Sequence, residues 1–82
     1  MRTVFLSYLG EPFYSRENGE PKLYYLQATL DDAECIQQLW VVDLLGTTKG
    51  NDLTRGWKGQ RVPAVWHEIQ LLDPDLQVDE VF

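Results

Sequence analysis

From Thr3 to Tyr8 the chain reads Thr-Val-Phe-Leu-Ser-Tyr, and Lys22 to Thr29 repeats that character with Leu23, Tyr24, Tyr25 and Leu26. Aromatic and β-branched residues at this density predict two strands. Turn formers fill the space between them, first Gly10-Glu11-Pro12 and then Ser15 to Pro21, where Asn18-Gly19 suits the positive φ angles of a tight hairpin turn. The first strand is expected to resume through Phe13 and Tyr14 after a bulge or kink at Gly10–Pro12. With Asn18-Gly19 as the turn, Phe13 and Tyr14 fall near Leu23 and Tyr24 across an aromatic-rich ladder.

The pattern then changes period. Asp31 has the character of a helix N-cap, and Glu34, three residues on, completes a capping-box spacing. Ile36, Leu39, Trp40 and Leu44 follow at steps of three, one and four, and Gly46 stands where a C-terminal cap belongs. This predicts a helix over 32–39 continuing into 40–45. Val41 and Val42, with Trp40, Val42 and Leu44 alternating, keep a strand open for the second part. Further on, Pro63 suits a first helical turn, and Val62, Val65, Trp66, Ile69 and Leu72 recur at helical spacing until Asp73-Pro74. A second helix over 63–72 is expected, with a strand through Trp66–Leu72 as its rival. Residues 75–82 alternate imperfectly and suggest an edge strand or a frayed terminus.

Residues 46–61 carry four glycines and few core positions and are expected to form a long loop, unless Leu53 or Trp57 anchors a short hidden strand. The expected fold class is therefore α+β: an N-terminal antiparallel hairpin packed on one or two short helices, with the C-terminal segment as a candidate additional edge strand. Leu6, Leu26, Ile36, Leu39, Trp40, Leu44, Val65 and Ile69 are its expected core. At 82 residues, 1–82 should form one domain.

Composition narrows the class. No uninterrupted apolar run exceeds four residues, as in Leu39 to Val42, ended by Asp43, far short of the ~20 residues of a membrane span, so a soluble, cytoplasmic protein without a membrane partner is expected. A single cysteine, Cys35, excludes an internal disulfide framework, and a single histidine, His67, excludes most His/Cys zinc sites. No metal and no cofactor are expected. His67 and Glu68 are adjacent, but neighbours in a helix point about 100° apart and neighbours in a strand point to opposite faces, so they form no dyad. Cys35 beside the buried face of a helix reads as a packed residue rather than a nucleophile. The acids Asp73, Asp75, Asp79 and Glu80 lack the EF-hand order, and Gly46-Thr-Thr-Lys-Gly50 lacks the spacing of a phosphate loop. The chain is not expected to be an enzyme.

Charge is unevenly placed. The net charge is −6, yet Lys49, Arg55, Lys58 and Arg61 face only Asp52 between positions 46 and 62, giving +3 there and −9 elsewhere. Lys49, Arg55, Trp57, Lys58 and Arg61 are the candidate partner-binding residues, because Trp and Arg dominate protein–protein hot spots. They point to a small acidic, non-catalytic binding protein that docks on a larger protein or complex. Small acidic inhibitors, the anti-defence proteins of phages and mobile elements among them, share these gross properties. The alternative is a nucleic-acid-binding module that stacks bases on Trp57 and holds phosphates with the neighbouring cations. Four cations neutralise few phosphates, and the acidic remainder repels the backbone.

Overall fold

The computed structural model describes residues 1–71, and these form a mostly antiparallel sheet. In chain order the elements are β1 (Arg2–Tyr8), β2 (Phe13–Glu17), β3 (Glu20–Leu30), β4 (Ile36–Val42), β5 (Lys49–Asp52), the four-residue helix α1 (Thr54–Trp57) and β6 (Trp66–Ile69). The strand order is β5-β4-β3-β1-β6, with β2 also paired to β3. The α+β expectation is thereby overturned: the hairpin packs on no long helix, and α1 is the one helix among the described residues.

The hairpin itself follows turn chemistry. Asn18 (φ 51°) and Gly19 (φ 81°) make the two-residue turn, Glu17 pairs with Glu20, and Phe13 and Tyr14 sit opposite Tyr24 and Leu23. β1 pairs with the other half of β3, from Arg2 opposite Leu30 to Leu6 opposite Leu26. One long strand therefore serves two partners in succession. The handover is a tight turn at Leu9 (φ 52°) and Gly10 (φ 86°), closed by reciprocal backbone hydrogen bonds between Tyr8 and Glu11 at 2.8 and 2.9 Å.

Neither expected longer helix forms, and each has a local reason. Asp31 does cap a turn, but a turn between strands: its Oδ1 accepts from the Ala33 and Cys35 amides, both at 2.9 Å, and Oδ2 accepts from Gln37 Nε2 at 3.0 Å. Glu34 takes φ 64°, which ends any helix there, and the chain returns as β4. The helix-like spacing of Ile36 and Leu39 comes from a register shift, since Leu30 pairs with Ile36 while Thr29 pairs with Gln38. One extra residue turns the two-residue period of a strand into a step of three and keeps both side chains on the same face. Near Pro63 the carbonyl accepts from the Trp66 amide at 2.9 Å and makes a turn, after which β6 pairs with β1 from Trp66–Tyr8 to Ile69–Phe5. The rival strand reading holds for Trp66–Ile69; Leu72 and the suggested edge strand at 75–82 lie outside the described residues. Residues 46–61 are not one long loop, because β5 and α1 occupy it.

The core covers one face. Val4, Leu6, Leu26, Ala28, Leu30, Ile36 and Leu39 are buried together, with Phe13, Tyr24, Val41, Leu53, Trp57, Val62 and Trp66 packed around them. Of the expected core, Leu6, Leu26, Ile36 and Leu39 are buried, Trp40 and Ile69 are half-buried, and Leu44 and Val65 are exposed because they lie in turns rather than on helical faces. The segment 53–61 closes the free edge of the first half of β4. Leu53 donates to the Leu39 carbonyl at 2.8 Å, Ile36 to that of Gln60 at 2.8 Å, and Gly59 to that of Ile36 at 2.7 Å. The Thr54 hydroxyl accepts from the Leu39 amide at 3.0 Å, so the Ile36 and Leu39 donors of this edge are both satisfied.

The 43–48 turn is organised by Asp43, whose carboxylate accepts from the Thr47 amide (2.8 Å), the Thr47 hydroxyl (3.0 Å) and the Thr48 amide (3.2 Å). Desolvation pushes its pKa up, but the hydrogen bonds from Thr48 and Thr47 outweigh it and hold the carboxyl below its ordinary 3.8. A folded pKa below the unfolded one adds stability above the unfolded value, and that contribution is lost as pH falls through the folded value. Asp43→Ala is expected to lower the exchange protection factors of the Thr47 and Thr48 amides at neutral pH, and lowering the pH of the wild type below the carboxylate range should lower them too, relative to the intrinsic exchange rate at each pH. Protection factors at these amides unchanged in both experiments would refute the assignment.

Candidate interaction site

At Tyr8 the sheet divides. β1 has left β3 and stays with β6, where Tyr8 pairs with Trp66 and Leu9 donates to the Val65 carbonyl at 2.8 Å, while β2 takes over beside β3. Aromatic rings fill the fork. Phe13 stacks on Tyr24 (centroids 5.4 Å apart, 15°), meets Trp66 edge-on (5.6 Å, 88°) and lies 6.0 Å from Tyr8. Offset and edge-to-face arrangements are the favourable ones for ring quadrupoles, so the cluster holds its own shape.

Its outer side is open. A groove of about 380 Å³ is lined by Tyr8, Pro12, Phe13, Tyr14 and Trp66. Tyr8 is 47% exposed, Leu9 54% and Tyr14 55%, with Val65 also exposed at the same corner. Exposed aromatic side chains beside a groove on a small domain mark a place of contact. Glu11 forms a bridge opposite Tyr8, and bridge partners raise their side chains on the same side. Arg16 donates to the Tyr14 hydroxyl at 3.2 Å.

Across Trp66 lies a second cleft of about 260 Å³, floored by Val4, Leu6 and Leu30. Its rim is ionic: Arg2 pairs with Glu34 at 2.8 Å and with Glu68 at 3.1 Å, all three half exposed. The side-chain hydrogen bonds to Glu34 and then Glu68 raise the Arg2 pKa above its usual value. Solvent screening leaves such a cluster a modest role in stability, and it ties the start of β1 to the 31–35 turn and β6.

The residues singled out in the sequence are dispersed. Lys49 lies over the Trp40 ring at 5.0 Å; it is paired beside Val42, so it stands on the face opposite the main core. Arg55 and Lys58 are exposed on and just after α1. Trp57 turns inward, half-buried, with its ring 4.6 Å from that of Trp66. Arg61 forms a bridge with Cys35 and lines the Arg2 cleft. Trp57 and Arg61 thus converge near Trp66, Arg55 and Lys58 flank them, and Lys49 is elsewhere. Sequence reasoning did not single out the fork aromatics as a site. The available signal is Phe13-Tyr14 opposite Leu23-Tyr24, which by itself marks a hairpin ladder and not a fork.

His67 pairs with Ser7, whose buried hydroxyl donates to the His67 carbonyl at 3.4 Å, while Glu68 faces the other way toward Arg2. Cys35 is half-buried with its thiol toward the Ala33 carbonyl at 3.9 Å. Among the described residues no three His, Cys, Asp or Glu side chains converge as a metal site, and no helix is long and apolar enough to cross a membrane. No protein-family model, no curated protein and no solved structure matches the chain.

Proposed function

We propose that this protein is a small non-catalytic binding protein that docks on a larger protein through the fork between β1 and β2. The observation that carries the reading is the open aromatic groove, in which the half-exposed Tyr8 stands beside a packed Phe13–Trp66 floor, with the exposed Tyr14 next along β2. Tyr and Trp supply large rigid contact area at low entropic cost, which makes them typical anchors of interfaces. The net charge of −6 supports association with a basic partner surface by electrostatic steering. A domain that covers its partner's working surface acts as an inhibitor, and that role is part of the proposal. Arg55, Lys58 and Arg61 are proposed as peripheral contacts, because Trp57 joins their side of α1 to the fork through Trp66. The nucleic-acid reading has less support: it needs a free Trp57 face, and that ring is engaged with Trp66.

The test is capture by the tagged protein from its native lysate after nuclease treatment, with Tyr8→Ala and Tyr14→Ala compared with wild type. Both side chains are exposed enough for the variants to fold, which circular dichroism would verify. A stoichiometric protein retained by wild type and weakened at least tenfold by the pair of substitutions is expected, since anchor truncations commonly cost more than 1 kcal/mol each. Retention unaffected by both substitutions, or abolished by nuclease, would sink the reading.

A further inference from the structure

We infer that the partner adds an extended segment to the free edge of β2, as an antiparallel strand that pairs with the Tyr14 and Arg16 backbone and sets one large apolar side chain in the fork groove. This inference rests on the docking reading and gives the partner's contact its chemistry.

The register identifies the open groups. The sheet pairs β2 with β3 alone, so its other edge has no strand beside it among the described residues. Glu17 and Glu20 flank the two-residue turn as a hydrogen-bonded pair, and pairs alternate from there, so Arg16 opposite Pro21 and Tyr14 opposite Leu23 turn their backbone groups away from the ribbon. Pro21, which has no N–H to give, agrees with that alternation. Arg16 and Tyr14 thus offer two N–H and two C=O groups at the two-residue repeat of a strand, and none of these has another hydrogen bond among the described residues. β3 has an open stretch too, since β4 pairs with it only from Tyr25 onward, but there Pro21 removes a donor. The ribbon that β2 makes with residues 20–24 is two strands wide, which is marginal in water, and a third strand completes it.

Alternation then sets the side chains of the added strand. On β2, Phe13 and Ser15 face the groove side, and Tyr14 and Arg16 face the other. Residues directly opposite share a face, so the partner residue opposite Phe13 enters the groove lined by Tyr8, Pro12, Phe13 and Trp66 and is large and apolar. Three residues before it, the one opposite Arg16 meets a guanidinium that has no ion-pair partner among the described residues, and an acidic side chain complements it. The partner segment reads acidic-x-x-apolar.

The probe is the blocked peptide Thr-Glu-Thr-Val-Phe-Thr, titrated into the isotopically labelled full chain while the backbone amides of Tyr14 and Arg16 and the Trp66 side chain are followed. Two N-methylated peptides are its controls. Methylating the valine nitrogen removes a donor aimed at Tyr14, whereas methylating the threonine between glutamate and valine removes one that points away from β2. We expect saturable shifts, exchange protection gained at the Tyr14 and Arg16 amides, and binding about fivefold weaker for the N-methylvaline peptide but little changed for the N-methylthreonine one. Replacing the peptide's phenylalanine by alanine should weaken binding about threefold or more and abolish the Trp66 shift. Arg16→Gln should remove a preference of about twofold for the glutamate peptide over its glutamine version. Equal weakening by the two methylations, or weakening by neither, overturns the inference. Absence of any saturable shift also overturns it. The docking reading is judged separately by whether Tyr8→Ala and Tyr14→Ala release the captured partner, so a partner held by side chains alone would leave docking standing and defeat only the strand pairing.

Discussion

Leu39→Ala is expected to remove about 2–5 kcal/mol of stability, enough to unfold much of the population of so small a domain. Leu39 is fully buried, sits opposite Ala28 in the β3–β4 ladder and belongs to the main core. Its backbone also anchors the segment that roofs that core, accepting from the Leu53 amide at 2.8 Å and donating to the Thr54 hydroxyl at 3.0 Å. Ala28 opposite it is too small to collapse into the vacated space. For a domain of this length a loss of that size lowers the melting temperature by roughly 10–30 °C. Thermal unfolding followed by near-ultraviolet circular dichroism would measure it. A loss under about 1 kcal/mol would mean that the bulge at Gln37 and Gln38 does not direct Leu39 into the core.

Trp66→Ala carries the second large effect, about 3 kcal/mol, near the low end for buried aromatics because the ring is only half-buried. Trp66 is the common wall of both clefts and touches Phe13 and Trp57. Because Trp57 and Trp66 lean on each other, the double substitution Trp57→Ala, Trp66→Ala should cost less than the two single losses added together, with a coupling of about 0.5–1.5 kcal/mol. Denaturant titrations of the four proteins in that cycle give the coupling directly. Strict additivity would show that the two rings serve separate packing sites.

These positions also show where sequence pattern informs and where it misleads. The Asn18-Gly19 hairpin was legible because its information is local: two adjacent residues suited to positive φ fix the register, and Phe13 and Tyr14 then fall opposite Tyr24 and Leu23. The two expected helices were not. A bulge after Ile36 converts strand periodicity into helical spacing, and Asp31 caps a strand turn with the same carboxylate geometry that caps a helix. At 62–72 the apolar spacing suits a helix as well as a strand, and the long-range pairing of β6 with β1 decides between them. Buried Leu6, Leu26, Ile36 and Leu39 were recognised despite the wrong elements, because large aliphatic side chains of so small a domain go to its core under either period. The site was less legible than the fold. Trp57 is conspicuous among glycines and cations but points inward, whereas the residues that line the groove are spread over positions 8–14 and 66 and meet only when β1 and β2 part. The groove is a product of long-range pairing that no local window contains.

The pairing of the first strand with the last described one also bears on how the chain is made. Ser7 waits for His67, sixty positions later, before its hydroxyl finds a partner, and Arg2 waits for Glu68. On a ribosome the β1–β3–β4 meander can assemble while residues 66–69 are still inside the exit tunnel, leaving one edge of β1 as an unpaired template. Contacts of such sequence separation form late and slowly. The nascent protein therefore passes through a stage in which Tyr8 and Phe13 are exposed without Trp66 against them. During that interval, chaperone capture competes with completion of the sheet.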